Sequence, residues 1–353
     1  MKIVSKFKDY YVNVEKELKI FSTLAKENDA FFVIDKNVYT LYKNIFDCLP
    51  LDRLVLLDAV ETKKTVETAL DICEKMTVMP SKRNTHLVSV GGGITQDVTG
   101  FVANVLYRGI KWTFFPSTLL AACDSCIGGK TSLNYKGFKN LLGTFYPPDE
   151  IIIYPQFFQT LTEKDFKSGL GEVVKFNVMS GANGIDKIKN DIPSLLSRDP
   201  TIISKYIDYS LNFKKSFIEE DEFDKGKRIL LNFAHTFGHA FEVSSNYDVP
   251  HGTAVVMGMI VANRISVKRG LLNESFANSI ESVCEQLLPS IYKEEWFDMN
   301  TIIKAIRKDK KQVNTSIRAV LMKSDLSLEI FNDVTEDEIK ASIEYFTNSY
   351  SKF

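Results

Sequence analysis

The chain has no surplus charge of either sign: 44 Lys and Arg stand against 45 Asp and Glu in 353 residues, a formal charge of −1. General binding to nucleic acid or to membrane surfaces runs on excess positive charge, so neither is expected. Long hydrophobic runs are missing too. The longest nearly uninterrupted apolar stretch, Thr253 to Ala262, is about half of what a bilayer crossing needs. The start, MKIVSKFKDYYVNVEKELK, carries charges where the apolar segment of a secretory leader would sit, so none is expected. No tract is rich in Pro, Gly or Ser, which excludes disorder as the main state. Cysteine is sparse. Five residues at 48, 73, 123, 126 and 284, an odd number without pattern, read as reduced thiols of a cytoplasmic protein. Histidine is scarcer still and unevenly spent: His235, His239 and His251 fall close together and only His86 lies elsewhere.

What is present is ordinary globular material, 44% apolar and 25% charged, and the length predicts about two domains. Up to about residue 155, short apolar runs alternate with helical patterns: Phe31–Ile34, Leu54–Leu57, Leu87–Val90, Trp112–Phe115 and Ile151–Ile153. Such runs predict strands buried on both faces. Between the second and third, Val66, Ala69, Leu70 and Cys73 predict one face of an amphipathic helix. The fold class is therefore α/β, with a Rossmann-like parallel-sheet domain for a dinucleotide over 1–158. From 159 to 353 helical periods take over (163–179, 201–219, 228–245, 253–269, 274–288 and 336–347). They predict a mostly helical second domain, with strands only at Ile317–Met322 and Leu328–Phe331.

After Leu87–Val90 come Gly91, Gly92 and Gly93, then Asp97 and a helical pattern. Strand, glycine turn and helix start form an anion site, because glycines admit a pyrophosphate and the helix N-terminus favours its charge. Triple glycine alone is equally a tight turn. Asp35, beside Asn37 at a strand end, could bind a ribose or cap a helix. The run from Pro116 to Thr131, with Ser117, Thr118, Asp124 and Lys130, reads as a ligand-facing loop. It continues to Asn134, Lys139 and Asn140, which supply donors suited to phosphate. Cys123 and Cys126 make a weak zinc or redox motif, since no second cysteine pair exists.

The strongest chemistry lies further on. On a helix, His235 and His239 share a face, and His251 after a turn can join them as a metal ligand. Glu172, flanked by glycines, valines and Lys175, is the natural carboxylate partner. Two histidines and one carboxylate leave a coordination position open, the mark of a catalytic site. Hydrogen-bonded core histidines are the bland alternative.

With these residues assembled, the chain resembles the 3-dehydroquinate synthase family of sugar-phosphate cyclases. The resemblance runs from about Asp35 to Lys311 through GGGxxxDxxGF, Arg108-Gly109, TLLAxxDSxIGGKT, KNLLGxF, GxGEVVK and RxLLNxxHTFGHAxE, in the family's order. It implies that Glu172, His235 and His251 hold Zn2+ or Co2+, with His239 an acid/base and substrate contact. It assigns Asp35, Asn37, Glu61, Lys64, Gly91, Gly92, Gly93, Asp97, Ser117, Thr118, Lys139, Phe157 and Thr160 to NAD. Asp124, Lys130, Asn140, Lys175, Lys214, Arg228 and Asn232 fall at substrate positions, as does Lys310 or Lys311. Arg108 matches an arginine that family dimers lend to the neighbouring active site, so a homodimer is expected.

The implied reaction converts 3-deoxy-D-arabino-heptulosonate 7-phosphate, a small anionic sugar phosphate, to 3-dehydroquinate and phosphate. Oxidation by NAD is transient, phosphate is eliminated, the hydride returns, and aldol closure forms the ring, so NAD is not consumed. Lys214 and Arg228 match the family's carboxylate anchor and favour this substrate. Three positions depart from the family: Ala234 for glycine, Thr253 for glutamate and Asp165 for glutamate. Ser117 and the cysteines around Asp124 are milder changes. These departures bear on the substrate, leaving a cyclase of cyclitol or surface-polysaccharide synthesis as the nearest rival. A metal-dependent polyol dehydrogenase and a catalytically dead binding protein come behind it.

Overall fold

The computed structural model describes residues 1–308 and 317–351, so Lys310 and Lys311 lie outside the described residues. By its contacts the chain falls into two compact units, Met1–Leu161 with Lys215–Phe223 and Thr162–Lys214 with Asp224–Phe353. The strands of the first unit are β1 (Lys2–Ile3), β2 (Tyr10–Val14), β3 (Ala30–Asp35), β4 (Leu54–Leu57), β5 (His86–Gly91), β6 (Lys111–Pro116), β7 (Lys130–Tyr135), β8 (Phe138–Phe145) and β9 (Glu150–Ile153). Seven of them make one sheet in the order β1-β2-β9-β6-β5-β3-β4. Every pairing is parallel except β1 with β2. Short helices α1 (Ile20–Leu24), α2 (Lys36–Leu41) and α3 (Lys43–Phe46) and the longer α4 (Val66–Met76) and α5 (Gly93–Val105) occur between its strands. The α/β class expected from the alternating runs is what the chain adopts.

Several local expectations need correction. Leu54–Leu57 is an edge strand and not one buried on both faces, because Leu56 remains 43% exposed. The buried face of α4 is Ala69, Ile72 and Met76, with Leu70 turned to solvent. β2 went unread because Tyr-Tyr-Val-Asn-Val alternates buried and exposed positions inside a charged stretch. The supposed loop after Pro116 is a wide helical turn over Ala121–Ser125 followed by the antiparallel β7–β8 hairpin. Its strands carry Lys, Thr, Ser and Asn in place of an apolar run, so periodicity could not announce them.

The stretch 215–223 joins the first unit through its acids. Glu222 accepts hydrogen bonds from Ser5 Oγ (2.5 Å) and the Lys6 N–H (2.7 Å), and Glu219 accepts one from the Val4 N–H at 2.8 Å. Phe223 meets Phe7 and Phe145 edge-on.

The second unit is built from α6 (Glu163–Met179), α7 (Ala182–Leu196), most of α8 (Pro200–Glu220), α9 (His235–Ser244), α10 (His251–Lys268), α11 (Glu274–Cys284), α12 (Met299–Lys308) and α13 (Glu336–Tyr350). An antiparallel pair, β10 (Ile317–Met322) and β11 (Leu328–Val334), accompanies them. Thr162 caps α6 and Thr335 opens α13 with a capping box, each satisfying an N–H that a helix start leaves unpaired. α10 is apolar on all sides and accordingly central, packed by α6, α9, α11 and α13. Two helices are shorter than their periodicity predicts. The 228–245 pattern is a tight turn over Lys227–Asn232 and then α9, separated by Ala234 in the left-handed region. The 274–288 pattern ends as a helix at Cys284.

His86 starts β5 in the sheet interior, its Nε2 2.8 Å from Thr113 Oγ1. Burial, helped by Lys111, holds its imidazole down at about 4 against the opposing carboxylates of Asp149 and Asp29. The unfolded chain takes that proton near 6.5, so the contribution to stability is complete above that value and is lost as pH falls toward 4. The expected loss is about 3 kcal/mol. A His86→Gln variant should show a flatter dependence of unfolding midpoint on pH over this window; an unchanged profile would clear His86 of the effect.

Candidate active site

In the second unit three side chains converge from three helix positions. Glu172 lies midway along α6, His235 is the first residue of α9 and His251 the first of α10. His251 Nε2 is 3.3 Å and His235 Nε2 3.5 Å from Glu172 Oε1. Glu172 is wholly buried, and neither carboxylate oxygen receives a hydrogen bond of good geometry. Such a group is costly unless a positive charge completes it. Lys175, one turn on, supplies part of it, its Nζ 2.5 Å from Oε2. Burial alone would raise the Glu172 carboxyl, yet Lys175 and the two histidines hold it well below the usual carboxylate range.

The outer nitrogens of both rings are occupied. His235 Nδ1 lies 3.0 Å from the Phe233 carbonyl and His251 Nδ1 3.2 Å from Glu242 Oε2, so both Nε2 atoms face Glu172. Burial disfavours a charge on His251, but Glu242 and Glu172 push its pKa up to about 10. Carboxylates thus flank the His251 ring on both sides. His239, one turn along α9, has its ring 5.4 Å from that of His235 and 5.7 Å from that of His251. Its nitrogen groups instead with Glu242 and His251.

Glycines bring these elements together. A Cβ on Gly171, the residue before Glu172, would stand 2.2 Å from the Gly252 carbonyl oxygen. A Cβ on Gly252, the residue after His251, would stand 1.8 Å from that of Ser168. α6 and α10 therefore touch backbone to backbone beside two of the three donors. On the other flank a Cβ at Gly258 would meet the Ala234 carbonyl oxygen at 2.3 Å. Ala234 itself has φ 70°, which glycine adopts without penalty and alanine does not. Ala234→Gly should gain up to about 1 kcal/mol of stability in chemical denaturation without loss of turnover. A destabilised variant would show that the turn carries no strain.

Other anticipated substrate positions of this unit are buried: Lys214, Arg228 and, half-buried, Asn232, whose Nδ2 donates to the Ile229 carbonyl at 3.0 Å.

In the first unit, Gly91 ends β5 and Gly92 precedes the first turn of α5. Gly91 is dictated by packing, since a Cβ would stand 2.3 Å from Thr95 Oγ1. At Gly93 a Cβ would meet only Ser125 Oγ at 3.9 Å, an ordinary contact, and the start of α5 leaves N–H groups without helical partners. Ser117 donates its N–H to the Gly91 carbonyl at 2.8 Å, and the Thr118 methyl lies against Gly92.

A second group forms one continuous network. Lys64 Nζ lies 2.5 Å from Asp97 Oδ2 and donates to Asn140 Oδ1 at 2.7 Å. Asp97 also accepts from the Ser132 N–H and hydroxyl, each at 2.9 Å. Burial nonetheless raises the Asp97 carboxyl. Glu61 accepts from Asn134 at 2.8 Å and pairs with Lys139 at 3.3 Å.

The remaining positions are more scattered. Asp35 caps α2, accepting the Asn37 N–H at 2.8 Å, which is the cap reading of that residue. Phe157 is buried edge-on against Tyr42 and Tyr154, and Thr160 Oγ1 meets the Tyr42 hydroxyl at 2.9 Å. Asp124 sits in the Ala121–Ser125 turn, and Lys130 is exposed at the start of β7. Arg108 is exposed in a turn where Tyr107, Arg108 and Gly109 all have positive φ. Cys123 and Cys126 are buried thiols directed at the Leu120 and Ala122 carbonyls. Sequence reasoning missed Glu242. The available signal was spacing, for 235, 239 and 242 fall at i, i+4 and i+7 of one helix face.

A parallel α/β unit with a glycine turn, together with a helical unit carrying a buried carboxylate and paired imidazoles, defines the class: two-unit α/β proteins with a carboxylate–imidazole cluster that could hold a metal ion. Family models narrow this. The model of the 3-dehydroquinate synthase N-terminal region matches residues 54–168, and that of the C-terminal region matches 169–312. The 3-dehydroquinate synthase of Clostridium tetani is 34% identical over 95% of this chain and 91% of its own. That of Dictyoglomus turgidum is 33% identical over 89% and 88%. The chain belongs to the 3-dehydroquinate synthase family. Among solved structures, the 2-epi-5-epi-valiolone synthase ValA of Streptomyces hygroscopicus, with NAD+ and Zn2+ bound, superposes with a TM-score of 0.85. It has 25% identity, covering 98% of this chain and 99% of its own. Among the described residues no helix is long and apolar enough to cross a membrane.

Proposed function

We propose that this protein is a metal- and NAD-dependent 3-dehydroquinate synthase, releasing phosphate from 3-deoxy-D-arabino-heptulosonate 7-phosphate as it forms 3-dehydroquinate. The observation that carries this reading is the buried Glu172 carboxylate, neither oxygen of which receives a hydrogen bond of good geometry, with two imidazole nitrogens 3.3 and 3.5 Å from one oxygen. Donors on a tetrahedral Zn2+ or Co2+ with bonds of about 2.0–2.1 Å stand about 3.3 Å apart, so the set fits such an ion. Glu172, His235 and His251 hold it, and when bound it polarises a ring hydroxyl and lowers its pKa. NAD, held in the first unit by the Gly91–Gly93 turn, Ser117, Thr118 and the Lys64–Asp97 network, supplies reversible hydride acceptance.

The chain's own groups do the rest. His239 takes the proton from the substrate hydroxyl oxygen and returns it. Lys175 keeps Glu172 ionised. Lys214 and Arg228 bind the substrate carboxylate, while Asn140, Lys130 and Asn232 hold phosphate and hydroxyl oxygens. Arg108, exposed in its turn, serves the partner's site in a homodimer, and cysteines that form no disulfide among the described residues suit a cytoplasmic location.

Phosphate release should be measured with this substrate, sedoheptulose 7-phosphate and glucose 6-phosphate. Turnover is expected on the first alone, without net NADH absorbance. Inactivity on the first with activity on another would transfer the protein to a different cyclase reaction, and accumulating NADH would make it a dehydrogenase.

A further inference from the structure

α9 carries a third polar group on its cation-facing side that the assignments above leave without a task. Glu242 lies seven residues after His235 and three after His239, so all three share one helical face. Its carboxylate is 14% exposed, and its Oε2 lies 3.2 Å from His251 Nδ1. His251 heads a different helix, and its opposite nitrogen is the one facing Glu172 at 3.3 Å. An imidazole can offer a lone pair at Nε2 only if the proton resides on Nδ1, and an acceptor at Nδ1 fixes that choice. His235 has the same arrangement with a backbone acceptor, the Phe233 carbonyl, which no side-chain change can remove. For His251 the acceptor is a side chain from another helix.

We infer that Glu242 is a positioning residue of the cation site: its carboxylate accepts the Nδ1 proton of His251, locking both the tautomer and the ring orientation that aim Nε2 at the ion. The inference rests on the metal reading above. It also accounts for the grouping of Glu242 with His239 and His251, because the hydrogen bond to Glu242 takes up the nitrogen that a second ion would need. In this role Glu242 acts on the ion only through the His251 ring.

Two variants separate this role from a structural one. Glu242→Gln keeps an acceptor of the same length, whereas Glu242→Leu keeps the bulk and removes the acceptor. Zn2+ dissociation constants are measured by chelator competition, visible spectra are recorded on the Co2+-loaded proteins, and the unfolding midpoint of each metal-free protein is measured. Glu242→Leu is expected to weaken Zn2+ binding 10–100-fold and to alter the Co2+ absorption, while the metal-free protein, deprived of the Glu242 partner of His251, unfolds at a lower midpoint but still in one cooperative transition. Glu242→Gln should stay within about threefold of the parent and keep its spectrum. Parent-like affinity in Glu242→Leu, or equal losses in both variants, overturns the inference. Should Glu242→Leu fail to fold, the Gln variant decides alone, a tenfold or larger loss overturning the inference and retention supporting it. Failure of the metal reading looks different, since the parent protein itself would then bind no stoichiometric ion.

Discussion

Glu172→Gln should abolish stoichiometric Zn2+ binding and lower kcat/KM by about a thousandfold or more, the several kcal/mol that a Lewis acid contributes. The same change should also destabilise the protein, for a separate reason. Lys175 is 2% exposed and has its Nζ against Glu172 Oε2 at 2.5 Å. Removing the carboxylate strands that ammonium in the interior, which costs about 3–5 kcal/mol. The two effects can be dissected. In Glu172→Gln/Lys175→Met the stranded charge is gone, so most of the stability should return while ion binding and turnover stay lost. Denaturant titration and metal analysis of the parent, single and double variants check this. A single variant that retains a full complement of ion would refute the ligand role. A double variant no more stable than the single would refute the stranded-charge account.

The second large effect concerns a residue with no functional group. In Gly252→Ala the new Cβ would stand 1.8 Å from the Ser168 carbonyl oxygen and 2.7 Å from its carbon. Both are helix backbone and cannot turn aside as a flexible side chain would. α6 and α10 would have to separate by on the order of 1 Å, in an interior that tolerates little such change. The expected cost is about 3 kcal/mol or more in unfolding free energy. Because Glu172 follows Gly171 and His251 precedes Gly252, the separation also spreads the donors, so affinity for the ion should fall with stability. Gly238→Ala, where the nearest approach is 3.1 Å, should cost distinctly less. A stable, ion-binding Gly252→Ala protein would show that the contact between these helices sets neither property.

These expectations differ in how far they could be read before the fold was known. The buried strands β3, β5 and β6 announced themselves as apolar runs, and α6, α8 and α10 as long helical periods, because in each case burial is a repeating local property. β7 and β8 did not, since their side chains join a polar network with Lys64 and Asp97 in place of an apolar core. The break at Ala234 was also hidden. An alanine inside a helical pattern carries no local mark of positive φ; that conformation comes from the turn over Lys227–Asn232 having to end where α9 begins.

The site divides along the same line. Residue types and spacing along the chain were enough to nominate an acid and two imidazoles, because metal chemistry restricts which donors can serve and histidine is too scarce here to cluster without reason. That Glu172 is buried with neither oxygen receiving a hydrogen bond of good geometry, and that the His235 and His251 rings meet it, depend on distances between α6 and helices remote from it in sequence. Those distances are set by glycine contacts such as Gly171 with Gly252. Local sequence dictates periodicity and donor chemistry; how closely two backbones approach, and so which charges meet in a dry interior, is settled only when the elements pack.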